Sequence, residues 1–223
     1  MSQKQFIRVC LAVLLLLVLL TFAAIAGIRL LSPREVALTL QDEAVAALFS
    51  DELNTFEPQT VTDGDYTVTL LGLSSGKALT DFSGGLADES RSYAVLCVGR
   101  TDGAPVTPEE CASFLFLPLI SGYEPARLAP FTMTIGRSAF YRDGLMYTLV
   151  DMIDLTPFAD RALWLLLLQS SFPTAEVVGI DGNGDPDYTD GYTGTRARFR
   201  LPVDPAKADA QKAAALLEQA GLG

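Results

Sequence analysis

Asp63-Gly64-Asp65-Tyr66-Thr67-Val68-Thr69-Leu70 is the stretch whose reading decides the fold. From Tyr66 to Leu70 apolar residues alternate with threonine. Alternate side chains of an extended chain point to opposite faces, so this pattern predicts a half-buried β-strand. Asp63-Gly64 ahead of it predicts a tight hairpin, because type I′ turns need a positive φ that glycine adopts at little cost. The same dipeptide signal recurs at Asp102-Gly103, after Ser92 to Arg100, and at Asp143-Gly144, between Ala139 to Tyr141 and Leu145 to Val150. Three hairpin signals imply antiparallel pairing.

Working outward, further apolar runs lie at Phe114 to Ile120, Phe131 to Ile135, Leu163 to Leu168 and Ala197 to Leu201. They bring the expected total to about seven or eight strands, a number that suits a sandwich or barrel. Leu163 to Leu168, leucine and tryptophan between Arg161 and Gln169, is too short to cross a membrane and reads as a central strand buried on both faces. The expected fold is mainly β: an antiparallel β-sandwich-like domain with an N-terminal transmembrane helix, a short membrane-proximal helix and a C-terminal helix.

Two helices flank the strands. Ser32-Pro33-Arg34 is expected to break helical register, and Thr39-Leu40-Gln41-Asp42 reads as a capping-box start for a helix through Phe49 that buries Val45, Leu48 and Phe49. Asp204 as N-cap with Pro205 at the first helical position opens a C-terminal helix over Ala206 to Ala220, stopped by Gly221. No other helix is expected in the body.

Val9 to Ile28 is a run of twenty residues without a charge. At about 1.5 Å per residue it matches a hydrocarbon core of roughly 30 Å. Lys4 and Arg8 precede it, Arg29 and Arg34 follow, and the amino terminus tips the orientation toward N-inside. Ala24-Ile25-Ala26 before Gly27 also fits a cleavable signal peptide over residues 1–26. Either reading exports the remainder: an uncleaved anchor leaves it on the membrane, cleavage secretes it. The expected divisions are a cytoplasmic tail at 1–8, too short to fold, an anchor at 9–28, a linker and helix at 29–55, the β domain at 56–204 and the tail helix at 205–223. Cys10, at the start of the apolar run, is not a lipobox cysteine and reads as a small buried residue.

The chain has 223 residues, 49% of them hydrophobic, with 16 Lys plus Arg against 27 Asp plus Glu. Residues 1–28 hold two of the basic residues and none of the acids, so the remainder carries a net charge of −13. Such a surface repels a phosphate backbone, which excludes nucleic-acid binding. There is no histidine, which removes the commonest general base and zinc ligand, and three cysteines do not replace them.

Tyr66 to Lys77 (YTVTLLGLSSGK), Phe116 to Gly122 (FLPLISG), Asp143 to Tyr147 (DGLMY), Phe158 to Arg161 (FADR) and Leu201 to Asp204 (LPVD) together carry a resemblance. In that order, across roughly Tyr66 to Leu217, they resemble a bacterial extracytoplasmic domain of unknown function found in membrane-anchored proteins, some of them anti-sigma-factor-like. The resemblance implies a tethered envelope domain. Its motifs are turn and core signatures, and it implies no catalytic or ligand-binding residues.

Several constellations invite chemistry. Ser74-Ser75-Gly76-Lys77 has the S-x-x-K spacing of serine acyl-transfer enzymes, but it ends a strand where a helix is required, and no K-[ST]-G element accompanies it. Asp160-Arg161 reads as a structural ion pair or turn cap, there being no histidine for it to orient. Asp151 and Asp154 form a carboxylate pair of the kind glycoside hydrolysis uses. Asp181, Asn183 and Asp185 open a loop like a calcium-binding EF-hand, but Pro186 stands where that loop needs glycine and Tyr192 where it needs a bidentate glutamate. A weak, non-EF calcium site and a solvated hairpin are the two readings of that loop. Cys97, mid-strand, and Cys111, beside Glu109-Glu110, are expected to be free thiols, a disulfide being the alternative in an oxidising exterior.

These readings assign no catalytic, cofactor-binding or metal-binding residue. They give a non-catalytic, membrane-tethered module whose partners are the membrane, through the N-terminal helix, and an envelope protein or glycan. The alternatives are a carboxylate-dependent envelope hydrolase and an accessory component of transmembrane signalling to a sigma factor.

Overall fold

A computed structural model describes residues 29–50, 56–75, 91–132, 136–219 and 221–222. The chain forms two units, residues 1–31 and 32–223, and the second carries every helix and strand described below. The apolar run at 9–28 lies outside the described residues. Among those described, no helix is long and apolar enough to cross a membrane.

The body is mainly β and antiparallel throughout. Strands β1 (Gln59–Asp63), β2 (Tyr66–Ser75), β3 (Arg91–Arg100), β5 (Gly136–Arg142) and β6 (Leu145–Ile153) form one sheet in the order β1-β2-β3-β6-β5. Strands β4 (Phe114–Ile120), β7 (Leu163–Gln169) and β10 (Ala197–Leu201) form a second in the order β10-β7-β4, and β8 (Val178–Ile180) pairs with β9 (Pro186–Tyr188). The described residues thus hold ten strands, more than the seven or eight expected: β1 and the short β8–β9 hairpin are additional to the runs counted in the sequence, and the run at Phe131 gives no strand up to Thr132.

The opening stretch behaves as its pattern dictates. Asp63 pairs with Tyr66 across a two-residue turn in which Gly64 has φ +55°. Val68 and Leu70 turn inward and are fully buried. Their threonine neighbours meet cross-strand threonines instead: Thr60 faces Thr69 and Thr62 faces Thr67, with hydroxyl oxygens 3.0 Å apart in each pair. Such cross-strand pairs hold register.

A β-bulge at Leu71 then shifts the β2–β3 register between Leu70 and Gly72. One extra residue reverses the facing of everything beyond it. Gly72 consequently lies under Pro33 and Phe49, where a Cβ would sit 2.6 Å from Pro33 Cγ and 3.2 Å from Phe49 Cε1. Two short helices pack there: α1 (Pro33–Thr39) and α2 (Glu43–Leu48). The opposite face of the large sheet, with Val68, Leu70, Leu96, Val98, Met146 and Val150, joins Phe116, Leu165, Leu167 and Phe199 of the small sheet in one buried cluster.

The expectation of only two helices in the body is corrected, since five are found among the described residues, and with it the reading of several caps and turns. Ser32-Pro33 starts a helix instead of breaking one: Ser32 Oγ accepts from Glu35 N, Glu35 returns to Ser32 N, and Pro33 occupies a first-turn position where its missing N–H costs nothing. Thr39 therefore ends α1, and Asp42 caps α2 through Val45 N. At the other terminus Asp204 and Pro205 open only a 3₁₀ turn, Pro205–Lys207; Ala208 is extended, and the C-terminal helix α5 runs Ala210–Gln219, with Asp209 accepting from Lys212 N. Phe131 and Thr132 end a helix, α4 (Pro125–Thr132), not a strand, and residues 133–135 of that run lie outside the described residues. Asp102-Gly103 does not join paired strands: β3 pairs with β2 and β6, and the chain leaves the sheet for α3 (Pro108–Ala112), capped by Thr107.

Asp143-Gly144, with φ +54° and +79°, does close the β5–β6 hairpin, as its two positive φ values require. β7 is the central strand of its sheet, and Leu163, Leu165, Leu166, Leu167 and Leu168 are buried on both faces.

Cys97 and Cys111 are unbridged and buried. Burial pushes the Cys97 thiol up to about 12 and raises that of Cys111. A buried thiol held protonated is a poor nucleophile. Peptide mapping after alkylation at neutral pH should find both cysteines unmodified in the folded chain and both modified after denaturation without reductant; a bridged pair would stay unmodified in each case.

Candidate functional site

The two ends of the sheets differ. At one end Tyr66, Arg100, Phe114 and Gln169 gather; at the other are Gln59, Ser75, Arg91, Ile153, Leu163 and Leu201. Concavities collect at the second end. A groove of about 570 Å³ is lined by Leu48, Phe56, Leu73 and Val203, by Ser74, Ser75, Ser92 and Thr156, and by Glu57, Gln59, Asp204 and Lys207. A hollow of about 400 Å³ shares Thr156 and Lys207 with it, and one of about 470 Å³ shares Gln59, Pro202 and Val203. The segment from Arg200 to Lys212 lines all three. Polar and charged residues outnumber apolar ones around the groove, so it departs from the mainly apolar form of an ordinary small-ligand pocket.

Asp154 fixes that segment in place. Its carboxylate is 6% exposed, accepts from Thr156 N at 3.0 Å and from Ser92 Oγ at 3.5 Å, and pairs with Lys212 Nζ at 3.2 Å. A buried carboxylate persists only with such partners. Asp151, its candidate partner in hydrolysis, turns elsewhere: it pairs with the Arg91 guanidinium and accepts from Gly136 N at 3.1 Å. Each carboxylate thus has a cation of its own.

The other sequence candidates resolve in the same way. Ser74 is on β2 and donates its hydroxyl to Leu48 O at 3.3 Å, tying α2 to the strand; Gly76 and Lys77 lie outside the described residues. Arg161 does not pair with Asp160. Its guanidinium lies over the Tyr123 ring, 4.9 Å from the centroid, and donates to Ser121 O at 3.4 Å.

The acidic loop closes on an arginine. Arg198, pointing outward from β10, reaches Asp187 at 2.8 Å, Asp181 at 3.4 Å and Asp185 at 3.9 Å, and its guanidinium lies 3.8 Å from the Trp164 ring centroid. Asp181 also accepts from Asn183 N and Asp185 N, and Trp164 Nε1 donates to Ser121 Oγ. The Asp185 and Asn183 amides, then Arg198, hold the Asp181 carboxyl below its ordinary value. The carboxylates offered for calcium face an internal cation. Among the described residues no group of three or more His, Cys, Asp or Glu is placed to hold a metal ion.

A second ionic cluster marks the opposite end. Arg100 bridges Asp102 at 2.8 Å and Glu110 at 2.5 Å, and Tyr66 donates to Glu110 at 2.9 Å. Arg100, with the Ala104 amide, lowers Asp102 to about 2, while burial and Glu110 push Tyr66 up to about 12. A lowered acid contributes stability that is complete above its unfolded value, about 3.9 for aspartate, and is lost as pH falls through the folded value. A raised tyrosine contributes stability present below about pH 10 and lost as pH rises through the folded value. Thermal melts should therefore show a plateau near neutrality, with Tm falling between about pH 4 and pH 2 and again toward pH 12. A maximum near pH 3 would contradict the assignment of these carboxylates.

Arg198 and Lys212 carry no signal of their role in the sequence. The alternation in Ala197-Arg198-Phe199-Arg200-Leu201 places Arg198 on the outward face, but its partners come from a separate hairpin. Comparison of the chain with family models, curated proteins and solved structures finds no match.

Proposed function

We propose that the chain is a single-pass, membrane-tethered, sandwich-like domain displayed outside the cell, a binding or sensing module that takes an envelope component in the groove beside Ser74, Ser92 and Lys207. Tethering and export rest on the apolar run from Val9 to Ile28 and on the charge of −13 that follows it. The observation that carries the non-catalytic reading is the separate neutralisation of Asp151 by Arg91 and of Asp154 by Lys212. Each is also held by a backbone amide of the fold, Gly136 N for Asp151 and Thr156 N for Asp154, and only Asp154 lines one of the three hollows, so the two carboxylates do not flank a common space as a hydrolytic pair must.

Incubation of the full chain in detergent with cell-wall glycan tests the reading. No release of reducing ends is expected. Release that is lost in Asp151→Asn or Asp154→Asn would replace it with the carboxylate-dependent hydrolase. Signalling to a sigma factor is the remaining alternative; co-purification of a sigma factor with the membrane-inserted chain would favour it.

A further inference from the structure

We infer that β5 pairs with the β5 of a second copy of the chain, antiparallel about Ala139, joining two five-stranded sheets edge to edge. No residue of β5 lines the groove, and the inference stands whether or not the groove takes a ligand.

Four strands form the edges of the two larger sheets: β1, β5, β10 and β4. Three of these edges are closed. β1 and β10 are bridged to each other, Gln59 Nε2 donating to Arg200 O at 2.8 Å and Arg196 N to the Asp63 carboxylate at 2.7 Å. On β4, Pro118 has no N–H to offer, Phe114 O accepts from Arg137, and Ile120 O accepts from Tyr123 N. β5 is open. Its two-residue turn makes Arg142 and Leu145 a hydrogen-bonded pair, and alternation from there turns the N–H and C=O groups of Arg137, Ala139 and Tyr141 away from β6. No hydrogen bond among the described residues takes these groups up, and Arg137, Ser138, Tyr141 and Arg142 are exposed. Such an edge is a template for another strand.

The edge is complementary to itself. With Ala139 facing Ala139 of the second copy, Arg137 stands opposite Tyr141, and every outward N–H of these three residues meets an outward C=O. A slip of two residues leaves one of the three without a partner on β5. In this register a guanidinium comes to the ring of Tyr141, which is 42% exposed. Arg142 falls opposite Gly136, where a Cβ would lie 2.9 Å from Asp151 Oδ2. Glycine at that position leaves the Asp151 carboxylate, 41% exposed, open to the arriving Arg142. That contact replaces the solvent-exposed pairing of Arg142 with Asp143 at 3.6 Å. Charged side chains guard an edge when like faces like, and here no arginine faces an arginine. The charge of −13 on each body is screened beyond about 8 Å at physiological salt.

The test uses the full chain in detergent micelles with Cys10→Ser, so that the remaining cysteines are the buried Cys97 and Cys111. Sedimentation equilibrium at rising protein concentration should show monomer passing to dimer. Arg142→Glu, a change on an exposed side chain, should weaken the dimer at least about tenfold by setting two acids together. Oxidation should bridge Ala139→Cys chains, because facing residues of a hydrogen-bonded pair lie about 5.5 Å apart between Cα atoms, within disulfide reach. Arg142→Cys chains should not bridge, since the two copies of that residue stand about 20 Å apart. A monomer at every concentration overturns the inference and leaves β5 a guarded edge. A dimer that forms no bridge at 139, bridges equally at 142, or keeps its strength in Arg142→Glu is held elsewhere and overturns it as well.

Discussion

Replacing Arg198 with alanine is expected to destabilise the domain by about 3 kcal/mol: the cluster is only partly buried, so each pair alone costs less than a buried one, but three pairs and the Trp164 stack are lost together. The Arg198 side chain is 19% exposed and serves three aspartates and the face of Trp164 at once. Removing it leaves Asp181, Asp185 and Asp187 repelling one another across the β8–β9 hairpin. For a body of this size the change corresponds to a fall in Tm of about 6–12 °C. Arg198→Lys should recover little, because one ammonium does not span several carboxylates while stacking on an indole. Arg198→Met keeps apolar contact with Trp164 and isolates the charge: its deficit should shrink as pH falls and Asp181, which Arg198 helps to hold below its ordinary value, protonates. A change below about 0.5 kcal/mol for Arg198→Ala, the size of an ordinary surface substitution, would show that the loop is solvated and the cluster incidental.

Gly72→Val is expected to cost about as much, roughly 3 kcal/mol, by overpacking. A Cβ at position 72 falls 2.6 Å from Pro33 Cγ, a ring that cannot swing away as a flexible side chain would. The substitution should lift α1 and α2 from the sheet, and proteolysis between Ser32 and Ser50 should accelerate ahead of global unfolding. Gly64→Ala makes the comparison: nothing lies within 4 Å of its Cβ, and the penalty is the positive φ alone, about 1 kcal/mol. Equal effects from the two substitutions would place the helices off the sheet.

Elements governed by neighbours in sequence are legible in the residues themselves. The threonine alternation of β2, the Asp143-Gly144 turn and the apolar run of β7 each carry their own cause, and each is found in place. The misread elements are those with two local solutions. Proline after serine reads as a break, yet Glu35 three residues beyond Ser32 completes a capping box; Asp204-Pro205 also pairs a cap residue with proline, but Lys207 stands where a capping box needs Glu or Gln, and the cap closes only a 3₁₀ turn. Phe131 sits in an apolar run that α4 claims from its N-terminal side. The groove is not legible because it is assembled from Leu48, Phe56, Leu73, Thr156 and Val203, residues far apart in sequence. The partners of Asp151 and Asp154 are hidden for the same reason: Arg91 and Lys212 lie 60 and 58 residues away.

Export on an uncleaved anchor underlies the proposed function, and topology tests it most directly. Protease added to intact cells should digest the body, while mass spectrometry of the washed membranes recovers a fragment that still contains Met1 to Ile28. A body protected until the cells are lysed, or a soluble chain beginning at Gly27, would contradict it.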